Sequence, residues 1–119
     1  MKSVKNDLIR QTVRESYAKI ANENNDGYGC APSCCGDEGV SSAENISLAL
    51  GYSAEDLSSI PKDANMGLGC GNPQAIASLK KGEVVMDLGA GGGLDCFLAG
   101  KEVGSSGYVI GVDMTPDMI

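Results

Sequence analysis

Val84-Val85-Met86-Asp87-Leu88-Gly89-Ala90-Gly91-Gly92-Gly93 is a short apolar run that ends on a carboxylate and passes straight into glycines. Its apolar residues, two of them β-branched, predict a parallel strand covered on both faces. Asp87 then stands at the carboxyl end of that strand, the edge where open α/β sheets take their ligands. The glycines beyond it let the backbone turn tightly and come close to a ligand that a Cβ would hold off.

Leu94 to Val103 carries apolar residues at 94, 97, 98 and 103, enough for a crossover helix packed on a sheet. Gly104-Ser105-Ser106-Gly107 then turns the chain into Tyr108-Val109-Ile110-Gly111-Val112-Asp113, a second β-branched strand that again ends on an acid. Two strands joined by a helix make one βαβ unit. Asp113 is expected beside the glycine loop, where a carboxylate can accept both hydroxyls of a ribose. The plainer reading, for Asp113 and Asp87 alike, is an acid that caps a loop or a helix. A dinucleotide fingerprint asks for Gly-x-Gly-x-x-Gly, and the third glycine position after Gly89 and Gly91 holds Leu94. That residue speaks against a nicotinamide-dependent oxidoreductase. Asp87-x-Gly89-x-Gly91-x-Gly93 instead resembles the first motif of class I S-adenosylmethionine-dependent methyltransferases.

The 119 residues hold at most one ordinary domain and are few for a complete doubly wound sheet. Thr115-Pro116 reads as the cap and first residue of a further helix, so the expectation is an α/β sheet truncated after its second strand. A net charge of −7 disfavours a surface that neutralises phosphates, hence no nucleic acid, and suits a cationic sulfonium. No apolar run approaches the roughly 20 residues that cross a bilayer and the N-terminus has no signal-peptide core, so no membrane is expected and a cytoplasmic location is. Five cysteines, an odd count, favour reduced thiols with chemistry over a disulfide framework.

From the start of the chain, Val4 to Ala21 predicts an amphipathic helix with Leu8, Ile9, Val13, Tyr17, Ile20 and Ala21 near one stripe and no part in ligand binding. Asn22 to Val40 breaks every periodicity and holds Cys30, Cys34 and Cys35. Zinc fits these thiols poorly, because there is no Cys-x-x-Cys pair and no histidine. A soft, thiophilic, three-coordinate ion fits better, with unassigned free thiols as the plain alternative. Ser41-Ser42-Ala43-Glu44 has capping-box spacing before a short helix stopped by Gly51, and Ser53 caps another that ends before Pro61. Gly69-Cys70-Gly71-Asn72-Pro73 bares one thiol just before a helix expected from Asn72 or Pro73 to Leu79, a place that favours thiolate. Inward packing of Cys70 in a tight turn is the alternative. Cys96, among Leu94, Phe97 and Leu98, reads as core filling.

Together, Val13-Arg14-Glu15-Ser16-Tyr17, Ser33-Cys34-Cys35-Gly36, Tyr52-Ser53-Ala54-Glu55-Asp56-Leu57 to Ile60-Pro61, Leu68-Gly69-Cys70-Gly71-Asn72-Pro73, Asp87 to Phe97 and Val112-Asp113-Met114-Thr115-Pro116 resemble the arsenite S-adenosylmethionine methyltransferases, most of all their archaeal and bacterial branch. The resemblance implies a Rossmann-like class I sheet over residues 80–119, preceded by a helical arm and cysteine-bearing cap over residues 1–79. It implies S-adenosylmethionine on Asp87, Leu88, Gly89, Ala90, Gly91 and Gly93 at the methionine side, with Asp113 and Met114 at ribose and adenine. It gives Cys70 to trivalent arsenic, assisted by Cys34 and Cys35; Cys30, in the same loop, is a further candidate ligand from the thiol clustering itself. Arsenite or its thiol conjugates are the implied substrate and a thiol reductant the implied partner. Two alternatives stand beside it: another small-molecule methyltransferase with incidental cysteines, and a metalloid-binding chain without methyl transfer. Val109, Ile110 and Val112 are expected to leave apolar surface open, which favours self-association.

Overall fold

The structure, a computed structural model, describes residues 2–22 and 42–119. Helices α1 (Lys2–Asn22), α2 (Ala43–Ala49), α3 (Ala54–Ser58) and α4 (Gln74–Ala77) precede strand β1 (Val84–Leu88), helix α5 (Leu94–Val103) and strand β2 (Tyr108–Val112). The strands pair in parallel, Val84 with Tyr108, Met86 with Ile110 and Leu88 with Val112, and α5 is the crossover. This is the βαβ unit that the two β-branched runs and the stripe between them predict.

Successive strand residues face opposite sides, and here the two sides differ. Asp87 and Gly111 look towards α5, with Val85 and Val109 half-buried on the same side. Val84, Met86 and Leu88 look away, as do Tyr108, Ile110 and Val112, and all six are exposed, Leu88 by 75%. The expected burial on both faces is thus corrected to one, because among the described residues only α5 lies on the sheet. Val109 also turns inward, while Ile110 and Val112 stay open as expected. On the covered side α5 lies close. A Cβ added at Gly107 would stand 2.5 Å from the Val103 Cβ, and one at Gly111 would stand 2.8 Å from the Cys96 Sγ.

The core sits on the far side of α5. Leu98 packs with Tyr52, Ile60 and Ala64, and Leu50, Leu57 and Leu94 close the rim. Each fully buried side chain of that size contributes about 2 kcal/mol. The segments that supply it are ordered by their caps. Ser53 Oγ accepts from the Asp56 N–H at 3.0 Å and the Asp56 carboxylate accepts from the Ser53 N–H at 3.3 Å, a complete capping box for α3. For α2 the cap is Ser42, which accepts from the Asn45 N–H at 3.2 Å, one residue later than the Ser41–Glu44 spacing predicts. Gly51, at φ +94°, closes that helix.

Two helices differ in length from expectation. α4 is a single turn ending at Ala77, because Ser78 adopts a left-handed φ of 48°. α1 runs slightly longer than expected and packs against a 3₁₀ turn at Pro116–Met118, where the Asn22 side-chain amide donates to Asp117 at 2.6 Å. Its Val13, Ile20 and Ala21 are half-buried while Leu8 and Ile9 remain exposed, so only part of the predicted stripe is covered. Thr115 is buried and precedes that turn without a side-chain cap bond, so the helix expected there is one 3₁₀ turn. Among the described residues no helix is long and apolar enough to cross a membrane.

Candidate functional site

The glycine loop is hooked onto the end of β2. The Gly89 and Ala90 N–H groups both donate to the Val112 carbonyl, at 2.7 and 3.0 Å. This bends the chain through left-handed conformations at Gly89 and Gly91, φ +83° and +54°, which residues with a Cβ rarely adopt. A Cβ at either position would meet nothing within 4 Å. The loop therefore turns bare backbone towards open space. Asp113 secures it: Oδ2 accepts from the Gly91 N–H at 2.9 Å and Oδ1 from the Thr115 N–H at 2.8 Å. The loop-capping reading of this acid is realised, and each carboxylate oxygen keeps a lone pair for a further donor.

In front of the loop lies a cavity of about 340 Å³, within the range of small-molecule sites. Gly89, Ala90, Gly91, Asp113 and Met114, all expected at a ligand, line it together. Asp87, Leu88 and Gly93 do not. Asp87 turns to α5, Leu88 projects from the open face of the sheet, and Gly93 forms the N-cap of α5 at φ +93°. The opposite wall comes from Leu50, Tyr52 and the stretch Met66 to Gly69, and Tyr17 of α1 reaches the rim. Tyr17 thus departs from the expectation that α1 has no place at a ligand. Gly92 and Asp95, next to the glycine motif, and Tyr52 are cavity residues that the sequence reading did not single out. Proximity to the motif could have flagged the first two. Tyr52 heads the run to Pro61 on which the family resemblance rests in part, but no local pattern gives it a place at the cavity, because that depends on how α3 docks.

Five polar side chains interact beneath the loop. The Tyr52 hydroxyl donates to Asp95 Oδ1 at 2.7 Å, and the Gln74 amide nitrogen donates to the Asp95 main-chain carbonyl at 3.1 Å. Burial raises the pKa of Asp95, the nearby charge of Asp87 adds to the rise, and the Tyr52 hydroxyl opposes it. Burial and then Asp95 push the Tyr52 phenol up in turn. The Cys96 thiol donates to Asp87 Oδ2 at 3.3 Å, and burial followed by that bond pushes it up to about 11. Cys96 is therefore half-buried and hydrogen-bonded rather than plain core filling.

Cys70 follows directly on Leu68 and Gly69, which line the cavity, and is itself exposed. Asn65 fixes the approach to this segment, accepting from the Ser47 hydroxyl at 2.9 Å and from the Gly67 N–H at 3.2 Å. Because α4 behind Cys70 is one turn, the helix dipole expected to favour thiolate there is short. Among the described residues no three thiols and carboxylates gather as a metal site. Cys30, Cys34 and Cys35 lie outside the described residues.

Residues 79–119 match a family model described as a methyltransferase domain. A Halobacterium salinarum protein named arsenite methyltransferase is 50% identical over 92% of the chain. The match covers 29% of that Halobacterium protein, so the chain spans less than a third of its length. Arsenite methyltransferases of Aquipseudomonas alcaligenes and mouse are 45% and 33% identical over 43% and 54% of the chain, covering 14% and 17% of their own lengths. No solved structure matches the chain.

Proposed function

We propose that the chain forms part of an arsenite methyltransferase, which transfers a methyl group from S-adenosylmethionine to trivalent arsenic held by thiols. The observation that carries this reading is one cavity in which the glycine loop, Asp113 and Met114 face the segment that leads into Cys70. In this reading residues 80–119 begin a Rossmann-like class I domain and residues 1–79 form its cap. The open space at Gly89 and Gly91 suits a cofactor that presses against backbone, and Asp113 retains acceptor capacity for ribose hydroxyls. Met114 offers an apolar surface to adenine. Bound there, the cofactor supplies an electrophilic methyl group on a sulfonium.

The chain's own residues bind and orient. Cys70, assisted by Cys34, Cys35 and Cys30, holds trivalent arsenic through sulfur, which soft thiolates favour. Arsenic so held keeps its lone pair, so no general base is needed and the absence of histidine is no obstacle. A thiol reductant keeps the cysteines reduced, and a reducing cytoplasm fits their number.

Two titrations test the reading on the reduced chain. Calorimetry with S-adenosylmethionine is expected to show binding that Asp113→Ala weakens by about tenfold, as loss of a charge-assisted contact does. Native mass spectrometry with arsenite is expected to show an adduct that Cys70→Ser loses. Cofactor binding without any arsenic adduct would leave another small-molecule methyltransferase as the reading. An arsenic adduct without cofactor binding would leave a metalloid-binding chain.

A further inference from the structure

Tyr52 precedes the cap of α3, and its ring is locked in the core with Ile60, Ala64 and Leu98 at 4% exposure. Its hydroxyl lies between two acceptors from distant parts of the chain. One is Asp95 Oδ1 in the first turn of α5, at 2.7 Å; the other is the carbonyl of Gly71, next to Cys70, at 3.2 Å. Gln74 adds a second link from the same segment to α5 through the Asp95 carbonyl.

We propose that Tyr52 is a positioning residue that sets the Cys70 segment against the cofactor side of the cavity, its hydroxyl tying the Gly71 carbonyl to Asp95. Its consequence for methyl transfer rests on the arsenite methyltransferase reading; the tie itself does not. The phenol's one proton is shared between the two acceptors as a three-centre bond, the shorter contact being the one to Asp95. A ring rigidly held in the core loses little further freedom in making these bonds, which suits it to fix a glycine-flanked segment that has no long helix of its own. In-line transfer needs reacting atoms held to within fractions of an ångström, and a thiol on an untethered glycine segment would not be so held.

The tie is tested by electron–electron distance measurement between nitroxides on Cys70 and on a cysteine placed at Ser105, with the other cysteines changed to serine. The native background is expected to give a narrow distance distribution. Tyr52→Phe keeps the ring and removes only the hydroxyl, and is expected to broaden it. Asp95→Asn, whose amide can donate to the hydroxyl oxygen and free the phenol proton for Gly71, is expected to keep it narrow. Leu57→Ala thins the same core without touching the hydroxyl and is expected to leave the width unchanged. A Tyr52→Phe distribution superimposable on the native one overturns the proposal, as does equal broadening by Leu57→Ala, which would make the effect one of general loosening. Calorimetry with S-adenosylhomocysteine on the same proteins separates the two ideas. No binding by the native background counts against the methyltransferase reading, while the distance result still decides the tie.

Discussion

At the residue scale, Cys96 shows how a thiol becomes a structural donor. Its proton is held by Asp87 at 3.3 Å in a half-buried setting, so it ionises near 11 against the ordinary 9.0. The sign of the coupling to stability follows. An unfolded thiol releases its proton first, so the folded state has its full advantage below pH 9.0 and loses it as pH rises towards about 11. Alkylation of Cys96 by iodoacetamide, followed by peptide mass, is expected to rise with a midpoint about two pH units above that of an exposed thiol. Asp87→Asn is expected to bring the midpoint down, leaving the parts due to burial and to the nearby charge of Asp95. A Cys96 profile that coincides with that of a cysteine in a short unstructured peptide would contradict this. Asp87 illustrates the limit of motif reading as well. Its place at the strand end was legible, but its partner was not, because the contact depends on how α5 lies across β1.

At the element scale, the glycines divide by what surrounds them. Gly107 is required by packing: a Cβ there would stand 2.5 Å from the Val103 Cβ and 2.8 Å from the Glu83 carbonyl. Gly89 is required by backbone conformation, with φ +83°, and open space lies where a Cβ would point. Gly107→Ala is therefore expected to lower stability by about 1–3 kcal/mol in urea unfolding, through overpacking, with little direct effect on ligand affinity. Gly89→Ala is expected to cost about 1 kcal/mol of stability through its left-handed backbone and also to weaken S-adenosylmethionine binding several-fold by filling the cavity wall. Equal effects of the two changes on binding would count against the proposed cofactor contact at Gly89. The βαβ order, both strands and α5 were legible, since each is a local pattern of apolar period and turn residues. The length of α4 was not, because it depends on the left-handed turn at Ser78, and serine carries no strong signal for one.

At the scale of the whole molecule, the sheet carries six exposed apolar side chains in register: Val84 opposite Tyr108, Met86 opposite Ile110 and Leu88 opposite Val112. Contiguous apolar surface of this kind drives association in water. The 119-residue chain by itself is expected to sediment as larger species with rising concentration, and Met86→Lys with Ile110→Lys to suppress this. Sedimentation of the unchanged chain that is independent of concentration would contradict it. The cavity too belongs to this scale, since its walls come from α1, the stretch after α3, the glycine loop and the end of β2.

By itself the sequence determined the parallel βαβ unit, the glycine loop at its carboxyl edge and the likeness to arsenite methyltransferases, because strand, helix and tight turn are written in residue spacing over a few positions. Only the tertiary structure decided which face of the sheet is covered, which loop residues meet the cavity, and that Tyr52 stands between Asp95 and the segment of Cys70. Those contacts join residues 19 to 43 positions apart, and no local pattern encodes the docking that brings them together.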